Sequence, residues 1–162
     1  MGKVVDEETG VPLAGAVVTI IWYDSQIIHM ANTRSFENSQ ETVTDYDGSF
    51  SLWIWPGISF NPFTMVLTPP HAIIYKAGYA PLSVPTTYER GYRSYKALAD
   101  DLKKGIVMKL PKLRTKEDRM RFVDLGSLSI IDVPDRRILK LIREVNYHRK
   151  LTGVSVFQVP GL

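Results

Sequence analysis

Few residues in this chain have both the type and the spacing for chemistry. Asp45 and Asp47, followed by Gly48, offer the alternating carboxylates that open a calcium loop. Such a loop closes on a carboxylate at its twelfth position. Here that position is Pro56, flanked by Trp55 and Gly57, so the segment reads as a tight turn. His29, His71 and His148 lie far apart, and none forms a His-x-His or His-x-x-x-His pair. No metal site is expected from them. No serine occupies a Gly-x-Ser-x-Gly elbow and no Gly-rich loop is placed to cradle phosphate. The chain has no cysteine, which removes disulfides, thiolate metal sites and Cys nucleophiles. No catalytic centre and no cofactor are expected.

Binding chemistry is better represented. Trp53 and Trp55 lie on one face of an alternating stretch, opposite Phe50, Leu52 and Ile54. They are expected to be covered by the C-terminal helices or by the segment Ile58–Pro70, because tryptophans are highly buried on average. Tyr88, Arg90, Tyr92, Arg93 and Tyr95, with Lys96 beside them, form an insertion-like run that is expected to be exposed. Loops on a rigid scaffold are where binding concentrates, and Tyr, Trp and Arg dominate interface energetics. These aromatics suit a protein partner or a stacked sugar ring. The basic stretch Arg136–Lys150 is interrupted by Glu144 and preceded by Asp135. It reads as a solvated helix face, with no signature of nucleic-acid binding.

The elements that must position these groups are mostly strands. Asp47-Gly48 is a strong hairpin signal, because glycine adopts φ > 0 at no steric cost. Lys3–Asp6 reads as a short strand. Val17–Tyr23 is β-branched and aromatic. Val17, Ile21 and Tyr23 (with Thr19) lie on one of its faces and Val18, Ile20 and Trp22 on the other. A strand apolar on both faces is covered on both, one cover being a partner sheet and the other something additional. Asp24–Gln40 is polar and reads as a long loop with a strand at Gln26–Met30. Further strands are expected at Glu41–Thr44, Phe50–Trp55, Phe63–Leu67, Ala72–Lys76, Leu82–Val84 and Ile106–Leu110, with a short helix over Ala97–Lys104.

The character changes after Pro111. Thr115 followed by Asp118 has the spacing of a helix cap, predicting a helix from about Lys116 to Leu125 with Met120 and Val123 inward, and Phe122 a third candidate. Pro134 starts a second helix. Its apolar stripe is Ile138, Leu139, Ile142, Val145 and Asn146, and Gly153 is its stop. Val154–Val159 is an apolar tail of strand-like composition.

The chain has 162 residues, 44% hydrophobic and 23% charged, with a net charge of +3. These values describe a globular chain with room for one sizeable core. Met1–Lys112 carries 10 basic against 11 acidic residues and Leu113–Leu162 carries 10 against 6. The basic excess therefore belongs to the C-terminal third. No apolar run approaches the roughly 20 residues of a membrane helix. Met1–Asp6 leads straight into strand-like sequence without a signal peptide. An exported protein would carry its leader, or a lipid-bearing Cys, outside this chain.

Three stretches together resemble a known family. Gly2–Ile20 (GKVVDEETGVPLAGAVVTI), Thr44–Leu52 (TDYDGSFSL) and Ile73–Pro85 (IIYKAGYAPLSVP) occur here in the order found in the carboxypeptidase regulatory-like domain. The resemblance covers Gly2 to about Leu110, with insertions at Asp24–Gln40, Ile58–Pro70 and Thr86–Gly105. It implies a transthyretin-like, seven-stranded Greek-key β-sandwich over residues 2–113, with 114–162 as a helical extension. It also implies a non-catalytic module, usually exported to the periplasm or cell surface. Two enzymes on related sandwiches fit poorly. An intradiol dioxygenase needs a histidine pair beside its tyrosines. The Tyr-Arg-Gly-Ser ending of the hydroxyisourate hydrolases has only Tyr92-Arg93-Ser94 to match it, mid-chain and without the glycine. The leading expectation is a module that binds or assembles with a protein, a second copy of itself included. The runner-up is a carbohydrate-binding module with an aromatic platform. Third comes an enzyme built on the insertions.

Overall fold

A computed structural model of the chain describes residues 1–28, 31–52, 66–67, 70–84, 104–124, 130 and 133–159. The described strands are β1 (Gly2–Asp6), β2 (Val17–Ile28), β3 (Ala31–Val43), β4 (Ser49–Phe50), β5 (Val66–Leu67), β6 (His71–Tyr75), β7 (Leu82–Val84) and β8 (Ile106–Leu110). Two helices follow, α1 (Lys116–Met120) and α2 (Leu139–Thr152), with a 3₁₀ turn at Asp135–Arg137 between them. One sheet has the order β4-β1-β8, with β1 antiparallel to β4 and parallel to β8. The other has the order β3-β2-β6-β7, with β5 beside β2. The protein is mainly β, in two facing sheets with a C-terminal helix.

The alternation along β2 explains this layering. Val18, together with Val4, Leu13, Ala16, Phe50, Ile74, Met108 and Leu110, fills the space between the sheets. Ile20 and Trp22 continue that layer with Ala72, and Leu52 packs against both groups. The other face of β2 and β6 presents Val17, Ile21, Tyr23, Ile73 and Tyr75. On it lie Ile138, Leu141, Ile142 and Val145. The additional cover required by a doubly apolar strand is therefore α2. Each of these four helix side chains is buried and worth about 1.5–3 kcal/mol, far more than a surface ion pair.

Four expectations change. Asp24–Gln40 is not a loop: β2 and β3 pair from Val17↔Val43 to Ile28↔Ala31, with a register shift at Trp22/Tyr23. β3 ends the order of its sheet, and an edge strand tolerates a polar outer row, which protects it from pairing further. The strand expected at Phe50–Trp55 is short, ending at Phe50 among the described residues. Helix α1 stops at Met120, which is 43% exposed; Val123 is the inward residue of this segment. The tail after Gly153 forms no strand among the described residues. It returns along α2, with Phe157 N donating to Asn146 Oδ1 (2.8 Å) and Asn146 Nδ2 to Phe157 O (3.2 Å). Arg149 stacks over the Phe157 ring at 4.1 Å and donates to Ser155 O and Val123 O.

Candidate functional site

The binding residues expected from sequence, Trp53, Trp55, Tyr88, Arg90, Tyr92, Arg93 and Tyr95, lie outside the described residues. So do Ile54 and all but Lys104 of the helix expected over Ala97–Lys104. Three other groups of polar side chains are described: the motif turn, a buried Tyr–His pair, and the outward face of α2.

At the turn, Ser49 N donates to both Asp45 Oδ1 (2.9 Å) and Asp47 Oδ1 (3.0 Å), and Gly48 N donates to Asp45 O (3.0 Å). The two carboxyls, brought together by Ser49 N, titrate apart from one another. Asp47 is held down at about 2, first by the hydrogen bond from Asp45, and Asp45 is raised, first by the same bond. Buried Thr44 accepts from Ala16 N (2.8 Å) and donates to Leu13 O (2.6 Å). Gly48 O receives Val4 N at 2.8 Å. Asp6 accepts from Glu8 N (2.9 Å), Thr9 N (3.0 Å) and the Tyr79 hydroxyl (3.1 Å). The bond from Thr9 leads in lowering its pKa. Lys76 Nζ donates to Gly15 O (3.3 Å). The stretches Thr44–Leu52 and Ile73–Pro85 are thus each bonded to Gly2–Ile20. Among the described residues no group of three His, Asp or Glu side chains comes together as a metal site.

The buried pair was not foreseen. Tyr75 and His148 are both fully buried. The Tyr75 hydroxyl lies 2.6 Å from His148 Nδ1 and 2.7 Å from Phe122 O. A carbonyl only accepts, so the hydroxyl proton belongs to Phe122 O and Nδ1–H donates to Tyr75 Oη. The imidazole is then the neutral Nδ1–H tautomer. Its Nε2 is a bare acceptor with no partner among the described residues. Burial leads in pushing the His148 pKa down; Arg119 adds to this and Glu144 opposes it. Burial also pushes the Tyr75 phenol up. The bonds run from α2 through β6 to the turn after α1, so this pair registers the helix on the sheet. The signal in the sequence was the apolar stripe continued by another turn. Leu141, Val145, His148 and Thr152 recur at helical spacing and all are buried; Asn146 and Leu139, placed on the stripe instead, are only partly buried.

The start of α2 is capped from a distance. Ile138 provides no side-chain cap. The Glu41 carboxylate of β3 instead accepts from Lys140 N and Leu141 N, both at 2.9 Å. A carboxylate at this end also complements the helix dipole. Glu144, the one acid within α2, is drawn to its flank, accepting from Ala77 N (3.0 Å) and pairing with Lys76 (3.5 Å). What remains outward on α2 is Lys140, Arg143, Tyr147, Lys150 and Leu151, all exposed.

Among the described residues no helix is long and apolar enough to cross a membrane. The chain matches no protein-family model, no curated protein and no solved structure.

Proposed function

We propose that this chain is a non-catalytic, exported binding or assembly module of the carboxypeptidase regulatory-like kind, acting on a protein partner. The observation that carries this reading is that two of the three family-like stretches are each bonded to the first. Thr44 holds Leu13 and Ala16, Gly48 holds Val4, Lys76 reaches Gly15, and Tyr79 reaches Asp6. These side chains serve as a frame, and function falls to surfaces that the frame presents. Seven strands make up the continuous paths of the two sheets, three in one and four in the other, with β5 off the path. That arrangement supports the transthyretin-like, Greek-key version of the sandwich.

The test is cross-linking capture from an envelope fraction, read beside light scattering of the purified chain. The reading expects a saturable complex with one protein, or a defined oligomer. A monomer that captures no protein but is retained by a glycan array would overturn it in favour of the carbohydrate module.

A further inference from the structure

We infer that the outward face of α2 is the docking surface, and that its partner is an acidic protein segment carrying an apolar side chain. This inference rests on the protein-partner reading and names its site.

At about 100° per residue, Lys140, Arg143, Tyr147, Lys150 and Leu151 fall within one arc, opposite the buried Leu141, Ile142, Val145, His148 and Thr152. No acid lies in that arc. The sequence alone interrupts the basic run with Glu144, but the fold turns Glu144 toward Ala77 and Lys76. Exposed Arg136 and Arg137 extend the positive surface beyond the helix start, with exposed Asp135 next to them in sequence. Lys140 Nζ reaches Glu41 O at 3.2 Å, and the Glu41 carboxylate that caps Lys140 N and Leu141 N is the acid nearest to it. Among the described residues no acid pairs with Arg143 or Lys150.

A merely solvated helix face mixes signs, because opposite charges three or four residues apart stabilise it and like charges destabilise it. Here Arg143 and Lys150 have no acid three or four residues away along the chain, and Lys140 is a like-charged neighbour of Arg143. The missing anions fit a partner. Tyr147 sits among the cations and Leu151, four residues on, closes the C-terminal edge of the face; they are 52% and 58% exposed. A tyrosine ringed by cations, with an aliphatic neighbour, has the composition of an interface anchor. The same pair has no use for a phosphate backbone. The face does not suit insertion into lipid either, because the apolar side of the helix is already buried on the sheet. From Lys140 to Leu151 the face is about 16 Å long, the span of a short segment.

The test uses the full chain, isotope-labelled for NMR and titrated with a synthetic peptide of alternating Glu and Leu. Backbone amide shifts are expected to concentrate at 136–151, with affinity falling as salt rises. The double variant Arg143→Glu/Lys150→Glu is expected to weaken binding at least tenfold, and Tyr147→Ala about threefold. All three positions are exposed, so melting curves should match the parent. Unchanged affinity in the double variant overturns the inference, as do shifts centred elsewhere. So does preferential binding of phosphatidylglycerol vesicles or a DNA duplex, or salt-dependent self-association in place of peptide binding. The double variant also goes through the cross-linking capture. If it captures the same protein as the parent, this face is not the site and the protein-partner reading stands. If the parent captures nothing and is a monomer, that reading itself falls.

Discussion

At the Thr44–Ser49 turn, the polar side chains that stand out in the sequence end on backbone groups of their own frame. Thr44 bonds Ala16 and Leu13, and Asp45 and Asp47 both receive Ser49 N. On α2 the division is reversed. Its inward side hides a neutral Tyr–His pair within an apolar layer, and its outward side leaves a set of cations unmatched. A residue with chemical character in the sequence is therefore a poor guide to a site until its partners are known. Carboxylates and hydroxyls beside a turn have backbone N–H groups within reach and are absorbed by them. Long cations on a helix face need free carbonyls, which the helix itself does not leave them between its ends; Lys140 and Arg149 find theirs on other segments, and Arg143 and Lys150 point outward.

The sharpest way to test this contrast is at two glycines of nearly equal φ. Gly48 (φ +77°) sits where an added Cβ would lie 2.5 Å from Val4 O and 3.1 Å from Leu13 N. Gly153 (φ +78°) closes α2 with nothing within 4 Å of the same atom. Gly48→Ala is expected to cost about 3 kcal/mol or more, combining strain with a backbone clash, and to lower Tm by roughly 6–12 °C. Gly153→Ala carries the conformational term alone, about 1 kcal/mol. Equal losses on thermal melting would show that the turn is not the tighter of the two regions.

Next come the buried hydroxyls. Thr44→Val removes both the acceptor for Ala16 N and the donor to Leu13 O, and is expected to cost about 2 kcal/mol. Tyr75→Phe removes the donor to Phe122 O and the acceptor for His148 Nδ1–H. It is expected to cost about 1.5 kcal/mol, because Phe122 O is only partly buried. Urea denaturation measures both. Hydrogen exchange separates them: Tyr75→Phe should speed exchange in α2 and leave β1 and β4 protected, whereas Thr44→Val should do the reverse.

Local pattern carried much of the frame. The β-branched alternation of Val17–Tyr23 implied two covers, and Asp47-Gly48 marked the turn before β4. Thr115 was legible as a cap; its Oγ1 accepts Asp118 N at 3.0 Å. The features that were missed depend on pairings with no local trace. Glu41 caps Leu141 across 100 residues, and Tyr75 meets His148 across 73. The β2–β3 hairpin was obscured because its outer strand is polar, as an edge requires, so composition imitated a loop. The grouping of cations on the outward face of α2 was hidden for a related reason: Glu144 interrupts the basic run in sequence, but lies to one side of it in space.

Acid is expected to act on the two regions in separate windows. His148 is held below its ordinary value of 6.5 by burial first, then by Arg119. The unfolded chain therefore takes up a proton that the folded chain refuses. The stability this histidine contributes is complete above pH 6.5, and is lost as pH falls from there through its lower folded value. In the frame, Asp47 is held at about 2, and Asp6 is lowered from 3.8, chiefly by the Thr9 N–H. Their contributions are complete above 3.8 and disappear only as pH falls through those folded values. Asp45, raised by its bond to Asp47, offsets part of that lower loss. Urea midpoints followed from pH 8 to pH 2 should show a first decline beginning near 6.5 and a second below 4. His148→Asn, which keeps a donor near the Nδ1 position and cannot titrate, should abolish the first decline and leave the second. If the first decline survives that substitution, the helix is not registered through a neutral histidine. The tautomer assigned from Phe122 O would then have to be given up.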